Sequence, residues 1–486
     1  MNILDLSALI GYFIIIFAAG LYFGKKGGKD DYYLGGKNLH WNFLMLSIIA
    51  TETSSLTFLG VPGMSYKGGI QFLQTALGFL FGRIIVAYVF LPLYLKSDIS
   101  SVYEWIGVMF GKHVQRFSST LFLFTRLLGD GIRLYATSIP CALLLGNWVQ
   151  GYSETEVFTM SLAAITAGTM IYTVYGGFKS VVATDSIQFL VYIAGGLFAA
   201  GFLLHSLDMP FNEIISKTYS LGKLKLYNGF EGNFLTSPYF FLNGFAGGLI
   251  LTICSHGIDQ MFAQRLLACG SLREAKLALI GSGIFVFFQF MLFLFIGILL
   301  FLYYGETGIA QDKIFSKFIL EQIPSPIKGL ILAGILASAM STLSSSINSM
   351  SLSIQVDLFK TSHSSLRFNM LSGLALFFSS LLPLFLHKSF SEGLVDAGLK
   401  AASFTYGPLL GLFLLARISK SHISYSQKNL NMALLLSLFS CIGFFLLFRP
   451  ALGHLIPFSA SVFFFIILIF PGTLTSDAVQ KENRNK

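Results

Sequence analysis

Hydroxyl side chains are crowded into one apolar stretch of this chain, between residues 337 and 349. The spacing i, i+3, i+4, i+7, which puts side chains on one face of a helix, joins Ser338, Ser341, Thr342 and Ser345. A second row beside it contains Ser341, Ser344, Ser345 and Asn348. Neutral oxygens suit a hard cation such as sodium. The alternative is close packing, because small residues let membrane helices approach and hydroxyls can hydrogen-bond across them.

A second apolar stretch is interrupted by polar residues between Ala50 and Thr57, and Gly60, Pro62 and Gly63 follow. A carboxylate (Glu52), clustered hydroxyls and a Gly/Pro pair indicate a broken helix. Unwound carbonyls inside a membrane protein can coordinate an ion where they line a cavity. The alternatives are an ordinary kink at Pro62 and a structural partnership of Glu52 with a buried donor.

Charged residues occur at three other places inside apolar stretches. Asp185 either binds a cation or a proton or is an acid favoured near a helix start. Arg126, Asp130 and Arg133 follow each other at i, i+4, i+7 and predict an internal salt bridge. The alternative is that Arg133 helps to bind an anionic or polar solute. For His256, a packing role is favoured over a ligand role.

The composition indicates a polytopic membrane protein. Of 486 residues, 54% are hydrophobic and 11% are charged, and successive apolar runs leave no room for a separate soluble domain. The sequence contains no HExxH, nucleophile elbow or P-loop motif, so an enzyme is disfavoured.

Thirteen membrane spans are predicted from the apolar runs. They cover about 4–24, 41–64, 70–95, 114–147, 155–175, 180–206, 238–264, 274–304, 329–359, 364–387, 394–416, 428–448 and 452–472. Spans two to six (about 41–206) and seven to eleven (238–416) form two blocks of five. Because five spans reverse direction, the second block is inverted relative to the first, which is typical of secondary transporters. Residues 1–472 are predicted to form a single transmembrane domain.

The basic residues predict the orientation. Lys and Arg are concentrated in alternate loops, beginning with the loop at 25–40, and in the tail at 473–486. The positive-inside rule therefore places the N-terminus outside and the C-terminal tail in the cytoplasm. The net charge of +9 is explained by this asymmetry, so no nucleic-acid partner is expected. The short segment 101–111 is predicted to lie at the cytoplasmic interface.

Five segments together resemble the sodium/solute symporter family, which includes sodium-coupled proline, galactose, sialic acid, iodide, monocarboxylate and vitamin carriers. They are Ala50–Gly63, Val174–Gln188, Gln264–Arg265 with Ser271–Ala275, Leu336–Ser349 with Asp357–Phe359, and Tyr406–Gly411. The resemblance covers about residues 1–472. It implies a LeuT-type fold, an all-α membrane architecture with an inverted 5+5 repeat.

The resemblance also implies two sodium sites. The first is built from carbonyls of Ala50, Thr53 and Ser338 and from the hydroxyls of Ser341 and Thr342. A possible second site, present in some members of the family, corresponds here to Asp185, Ser341, Ser344 and Ser345.

The family's sugar-contacting residues are not found in this chain. Their positions hold Thr252, Val286 and Ala76, and the inner-gate tyrosine position holds Ser255. The stretch Leu59–Tyr66 is more similar to the monocarboxylate, vitamin and iodide branch. By position, the residues expected to line the solute pocket are Thr57, Phe58, Gln71, Gln74, Thr75, Arg133 and Thr252.

The resulting prediction is a sodium-coupled symporter that imports a small organic solute, with a lean towards a carboxylate, by alternating access. A sodium/sugar or sodium/amino-acid symporter is the alternative, and an ion channel or a transporter-like sensor lies outside this class. Na⁺ is the coupling ion, and no organic cofactor or obligate protein partner is expected. The protein is expected in the lipid bilayer of the plasma (inner) membrane.

Overall fold

The computed structural model describes residues 2–24, 32–146, 151–226, 233–237, 240–361, 365–386, 394–419, 423–470 and 473–474. Its helices are α1 (Ile3–Gly24), α2 (Trp41–Glu52), α3 (Ser55–Gly68), α4 (Leu73–Val89), α5 (Leu91–Lys96), α6 (Val102–Phe110), α7 (Lys112–Gly146), α8 (Glu154–Leu207), α9 (Phe211–Ser220), α10 (Phe241–Gly257), α11 (Gln260–Leu267), α12 (Leu272–Tyr304), α13 (Gln311–Gln322), α14 (Ile327–Ser353), α15 (Ser365–Leu386), α16 (Leu394–Ile418), α17 (Gln427–Phe448) and α18 (Leu452–Ile469).

Short elements complete the described structure. A 3-10 turn covers Gly35–Lys37, and a π-helical turn, Ile354–Phe359, continues α14. Two strands of two residues each, β1 (Ile423–Ser424) and β2 (Thr473–Leu474), pair antiparallel. Residues 25–31 of the first basic loop and the tail beyond Leu474 lie outside the described residues, so the orientation predicted from their charges stays a prediction.

Within the described residues, each predicted span falls on one helix, on one arm of a helix or on two consecutive helices. By length and apolarity, eight helices of the described residues can cross a membrane, or nine if the bent pair α2–α3 counts as one span. The predicted membrane class is therefore confirmed, while the count of thirteen stays a prediction. The predicted interfacial segment 101–111 forms α6, whose N-terminus is capped by Ser101 and Glu104.

The predicted break in the second span is confirmed. Helices α2 and α3 meet at a bend of 59°. Thr53 and Ser54 between them have extended backbone, and the Thr53 amide still donates to the Ile49 carbonyl at 2.9 Å. Pro62 lies within α3, away from this bend. The helix therefore ends at the polar residues and leaves carbonyls of its last turn free of helical partners.

The boundary between spans five and six is set by one glycine. Gly177 has a φ of 61° and divides α8 into two arms. A Cβ at this position would lie 2.8 Å from the Tyr32 carbonyl oxygen, which also accepts a hydrogen bond from the Phe178 amide at 2.8 Å. Glycine is required here by both the backbone conformation and the close approach.

Helix α14 lies at the centre of the helical assembly. In its most apolar stretch of 18 residues 89% are buried, whereas in that of α1 only 17% are buried. It packs against α1, α2, α7, α8, α11 and α15. The hydroxyl-rich segment of α14 therefore faces protein on all sides, which lets its two polar rows face different neighbours.

Candidate functional site

A small cavity lies between the bend of α2–α3, the second arm of α8 and the middle of α14. Its lining includes Ala50, Thr53, Ser338 and Ser341. These are four of the five residues that the sequence predicted for a first cation site. The structure thus brings the end of α2 and the first hydroxyl row of α14 to one place.

The fifth residue, Thr342, lies next to this cavity without lining it. Its hydroxyl donates to the carbonyl of Thr51 at 3.0 Å and to that of Ser338 at 3.2 Å. The Ser338 hydroxyl donates to Ile335 one turn earlier, at 2.7 Å. Thr342 therefore connects α14 to the last turn of α2 and orients two carbonyls near the cavity.

Gln188 lines the same cavity and was not identified from the sequence. It is buried, and its amide Nε2 lies 3.3 Å from the Tyr12 hydroxyl. Its Oε1 is a buried oxygen without a hydrogen-bond partner in the described part of the chain. A buried oxygen that lacks a donor is suited to a cation, because its desolvation is otherwise uncompensated. Only the three-dimensional position of Gln188, one turn beyond Asp185, shows this.

The predicted second site is organised differently, because an arginine lies in it. Arg265 and Asp185 form an ion pair at 3.1 Å, and both side chains are at most 1% exposed. Asp185 also accepts hydrogen bonds from Ser341 at 2.6 Å and from Ser47 at 2.5 Å. Both carboxylate oxygens are therefore already paired with protein donors.

The hydroxyls of this second site are shared with the same arginine. Arg265 donates to the Ser345 hydroxyl, while Ser345 donates to the Ser341 carbonyl at 2.7 Å. The Ser344 hydroxyl donates to the same carbonyl at 3.0 Å. The structure thus brings Asp185, Ser341 and Ser345 together, and Ser344 adjoins them through the Ser341 carbonyl.

A larger cavity lies beside the bend. Among the residues predicted to contact solute, Thr57, Arg133 and Thr252 line it. Its apolar lining consists of Val61, Met64, Phe72, Phe79, Leu251, Phe262, Phe290 and Ala402. Its polar lining otherwise consists of Glu52, Ser54, Arg126, Ser255, His256 and Tyr406. An apolar lining with a few polar and charged side chains is typical of a small-molecule site.

Four other predicted pocket residues lie outside this lining. Phe58 is buried against Tyr192 and Phe293, with ring centroids 4.9 and 5.0 Å away. Gln74 donates to the carbonyl of Leu226 at 2.8 Å. Gln71 and Thr75 belong to the turn that leads into α4 and to its first residues.

The predicted salt bridge on α7 is confirmed and extends to another helix. Arg126 lies 3.4 Å from Asp130 and 3.1 Å from Asp259, which caps α11. Arg133 reaches Asp130 at 3.5 Å and keeps 23% of its side chain exposed, whereas Arg126 is 3% exposed. Of these two arginines, Arg133 therefore has the guanidinium that is more available to a solute.

Glu52 pairs with Arg83, which is fully buried. The interpretation of Glu52 as the partner of a buried donor is thus confirmed, and 18% of its side chain remains exposed. His256 stacks on Phe262 at 4.3 Å and lies 3.3 Å from the Arg83 guanidinium. The sequence did not identify Arg83 as the partner, because α2 and α4 approach each other only in the folded chain.

Comparison with known proteins identifies the family. The family model described as "Sodium:solute symporter family" matches residues 32–421. The chain belongs to this family. As a member of the sodium:solute symporter family, it is a transporter whose coupling ion is Na⁺.

Individual relatives of this symporter are similar over most of its length. The mouse sodium-coupled monocarboxylate transporter 1 is 28% identical over 430 residues, which cover 84% of this chain and 68% of the relative. The sodium/sialic acid symporter SiaT of Proteus mirabilis (strain HI4320) is 28% identical over 427 residues, covering 85% and 84%.

A solved structure gives the fold of this symporter. A structure described as the substrate-bound outward-open state of a Na⁺-coupled sialic acid symporter matches with a TM-score of 0.83 and 25% identity. The match covers 98% of this chain and all of the other. The LeuT-type fold is therefore confirmed, and the protein is a multi-pass membrane symporter that works by alternating access on a small solute.

Proposed function

We propose that this symporter imports a small carboxylate-bearing solute together with sodium bound at the bend of α2–α3. The observation that carries the proposal is the pair of neighbouring cavities. The smaller one has Thr53, Ser338 and Ser341 in its lining, and the larger one is mostly apolar and has Arg133 in its lining. An ion and a solute bound on either side of one broken helix can each stabilise the same conformation of that helix, which is the physical basis of coupling.

The proposed first sodium site uses the carbonyls of Ala50, Thr53 and Ser338 and the hydroxyls of Ser341 and Thr342. Gln188 adds a candidate oxygen, because this residue lines the same cavity and its Oε1 has no hydrogen-bond partner among the described residues. A possible second site consists of Asp185, Ser341, Ser344 and Ser345. Since Ser341 belongs to both sets, the two sites would be coupled through one side chain.

The proposed solute contact is Arg133. Arg133 lines the larger cavity, and Asp130 is its only ion-pair partner among the described residues. A guanidinium fork matches a carboxylate in two-point geometry. Two relatives are named for monocarboxylate and sialic acid transport, which agrees with an acidic solute. Sugar or amino-acid transport remains the alternative, for which Thr57, Thr252 and Glu52 offer the polar contacts.

Uptake by proteoliposomes tests the proposal. A panel of labelled monocarboxylates, sugars and amino acids is presented with and without an imposed inward sodium gradient. We expect gradient-driven accumulation of a carboxylate. Equal uptake of every solute in both conditions would overturn sodium coupling.

The charge at Arg133 is then tested with the transported carboxylate. Arg133→Gln should raise its KM by about tenfold or more, since one charge-assisted hydrogen bond contributes roughly 1.5–3 kcal/mol. Arg133→Lys should recover part of this loss, and the sodium requirement should stay within about twofold in both variants. An unchanged KM in Arg133→Gln would remove this residue from the solute site.

We also propose that the protein lies in the plasma membrane with its N-terminus outside and its C-terminus in the cytoplasm. This orientation places α9 outside, and Ser220 at the end of α9 is exposed. A Ser220→Cys variant should react with an impermeant maleimide in intact cells. Labelling that requires disruption of the membrane would indicate the opposite orientation.

A further inference from the structure

The ion pair of Arg265 and Asp185 bears on how many sodium ions the symporter binds in this conformation. Arg265 lies on α11 and joins three other helices. Its guanidinium donates to Ser47 on α2 at 2.8 Å, to Asp185 on α8 at 3.1 Å and to Ser345 on α14. It also donates to the Met261 carbonyl on its own helix at 2.7 Å. All three nitrogens of this guanidinium therefore have partners.

The same groups are the ligands of the proposed second sodium site. Asp185 would supply its only carboxylate, and Ser345 one of its hydroxyls. Both are in contact with Arg265 in this structure. A sodium ion added here would share one carboxylate with a guanidinium, and the buried cluster would carry an excess positive charge. Uncompensated charge in a buried site is strongly unfavourable, so the two cations exclude each other.

We propose that Arg265 acts as a tethered cation that occupies the second sodium site in this conformation. The symporter then binds one sodium ion, at the first site, as long as Arg265 stays on Asp185. A second ion binds only after the guanidinium withdraws. This proposal rests on the sodium sites of the proposed function and adds the residue that controls the second one.

Withdrawal of Arg265 changes more than the charge of the site. Since its guanidinium connects α2, α8 and α14 to α11, its departure removes hydrogen bonds that hold these four helices together. Sodium at the second site and the contacts of α11 would therefore be linked, because each excludes the other. A ligand that binds only one of two arrangements shifts the population towards that arrangement.

Equilibrium binding of radioactive sodium to the purified full-length protein tests the proposal without knowledge of the solute. Sodium is titrated against choline at constant ionic strength. The wild-type protein should bind one ion per chain. Arg265→Met removes the charge and keeps an unbranched side chain of similar reach, so Asp185 becomes free to bind sodium and the variant should bind two. Arg265→Lys keeps a cation and should bind one.

The double variant Arg265→Met/Asp185→Asn is the matched control. It removes both buried charges together, so it is protected from the instability of an unpaired charge, and it should bind one ion. Thermal unfolding of each variant in choline shows whether that variant is folded before its sodium binding is compared with that of the wild type. If Arg265→Met alone does not fold, the wild type still tests the proposal, because two ions bound to it would overturn the exclusion of sodium by Arg265.

Three results would show whether the Arg265 proposal or the proposed sodium sites are wrong. Two ions bound to the wild type and one to the double variant would overturn the tethered-cation proposal and leave the two sodium sites in place. One ion bound to the folded Arg265→Met variant would also overturn it, since the freed carboxylate would then not bind sodium. No binding to any of these proteins would overturn the proposed first sodium site as well.

Discussion

The two candidate cation sites share Ser341 and differ in what surrounds their oxygens. The first is a cavity whose lining includes Thr53, Gln188, Ser338 and Ser341, and none of the described residues that line it is charged. The second contains a full negative charge, and the guanidinium of Arg265 already neutralises it. A site without a charged ligand takes its cation from solution, whereas the carboxylate of the second site can be neutralised by a basic side chain of the protein itself. This difference is the basis of the proposal that sodium binds at the first site in this conformation and at the second only after Arg265 withdraws.

The largest effect is expected from breaking the buried ion pair. Asp185→Asn leaves Arg265 buried without a counter-charge and should destabilise the protein by about 3–5 kcal/mol. Thermal unfolding in choline measures the loss. Arg265→Met/Asp185→Asn should recover most of it, because neither charge remains. Equal destabilisation in the single and double variants would show that the pair does not act as a unit.

The next largest effect is expected at the residue that both sites share. Ser341→Ala removes a proposed sodium ligand and a donor to Asp185. Together with Thr342→Ala, it should raise the sodium concentration needed for half-maximal uptake by about tenfold or more, since each lost polar contact to a charge contributes roughly 1.5–3 kcal/mol. An unchanged sodium dependence of the double variant would remove the first site from α14.

A smaller effect is expected at Gln188, which would sharpen the definition of the first site. Gln188→Met removes the unpaired oxygen and should weaken sodium binding by about three- to tenfold, as the other oxygens remain. The same radioactive-sodium titration measures it.

Ser186→Ala is the matched control for Gln188→Met. Ser186 is buried on the same helix, and its hydroxyl donates to Val182 at 2.8 Å, outside the cavity lining. The sodium affinity of the Ser186→Ala protein should equal that of the wild type. Equal affinities of the Gln188→Met and wild-type proteins would exclude Gln188 as a ligand.

The smallest effect is expected from Tyr12→Phe. The Tyr12 hydroxyl lies 3.3 Å from the amide nitrogen of Gln188 and can hold that amide in orientation. Its loss should weaken sodium binding by about twofold, because the oxygen is retained and only its orientation is freed. A loss as large as that of Gln188→Met would show that Tyr12 has a direct role.

Local patterns were sufficient to identify the broken helix, the helical hydroxyl rows and the pairing of Arg126 with Asp130. Each depends on residues close together in the chain, whose spacing on a helix follows from backbone geometry. The residues expected around the solute were harder to place. Phe58 follows the bend closely yet packs into an aromatic cluster, because its direction depends on the rotation of α3.

The sequence by itself determined the membrane class, the break at Thr53 and the oxygen-rich helix α14. These follow from composition, helix periodicity and local polarity, and the family resemblance added the two sets of candidate ligands. Only the tertiary structure decided which cation faces Asp185 and that Gln188 lines the first cavity. Arg265 is distant from Asp185 in the chain, and a carboxylate's counter-charge is chosen by packing between helices. Spacing along one helix contains no information about that choice.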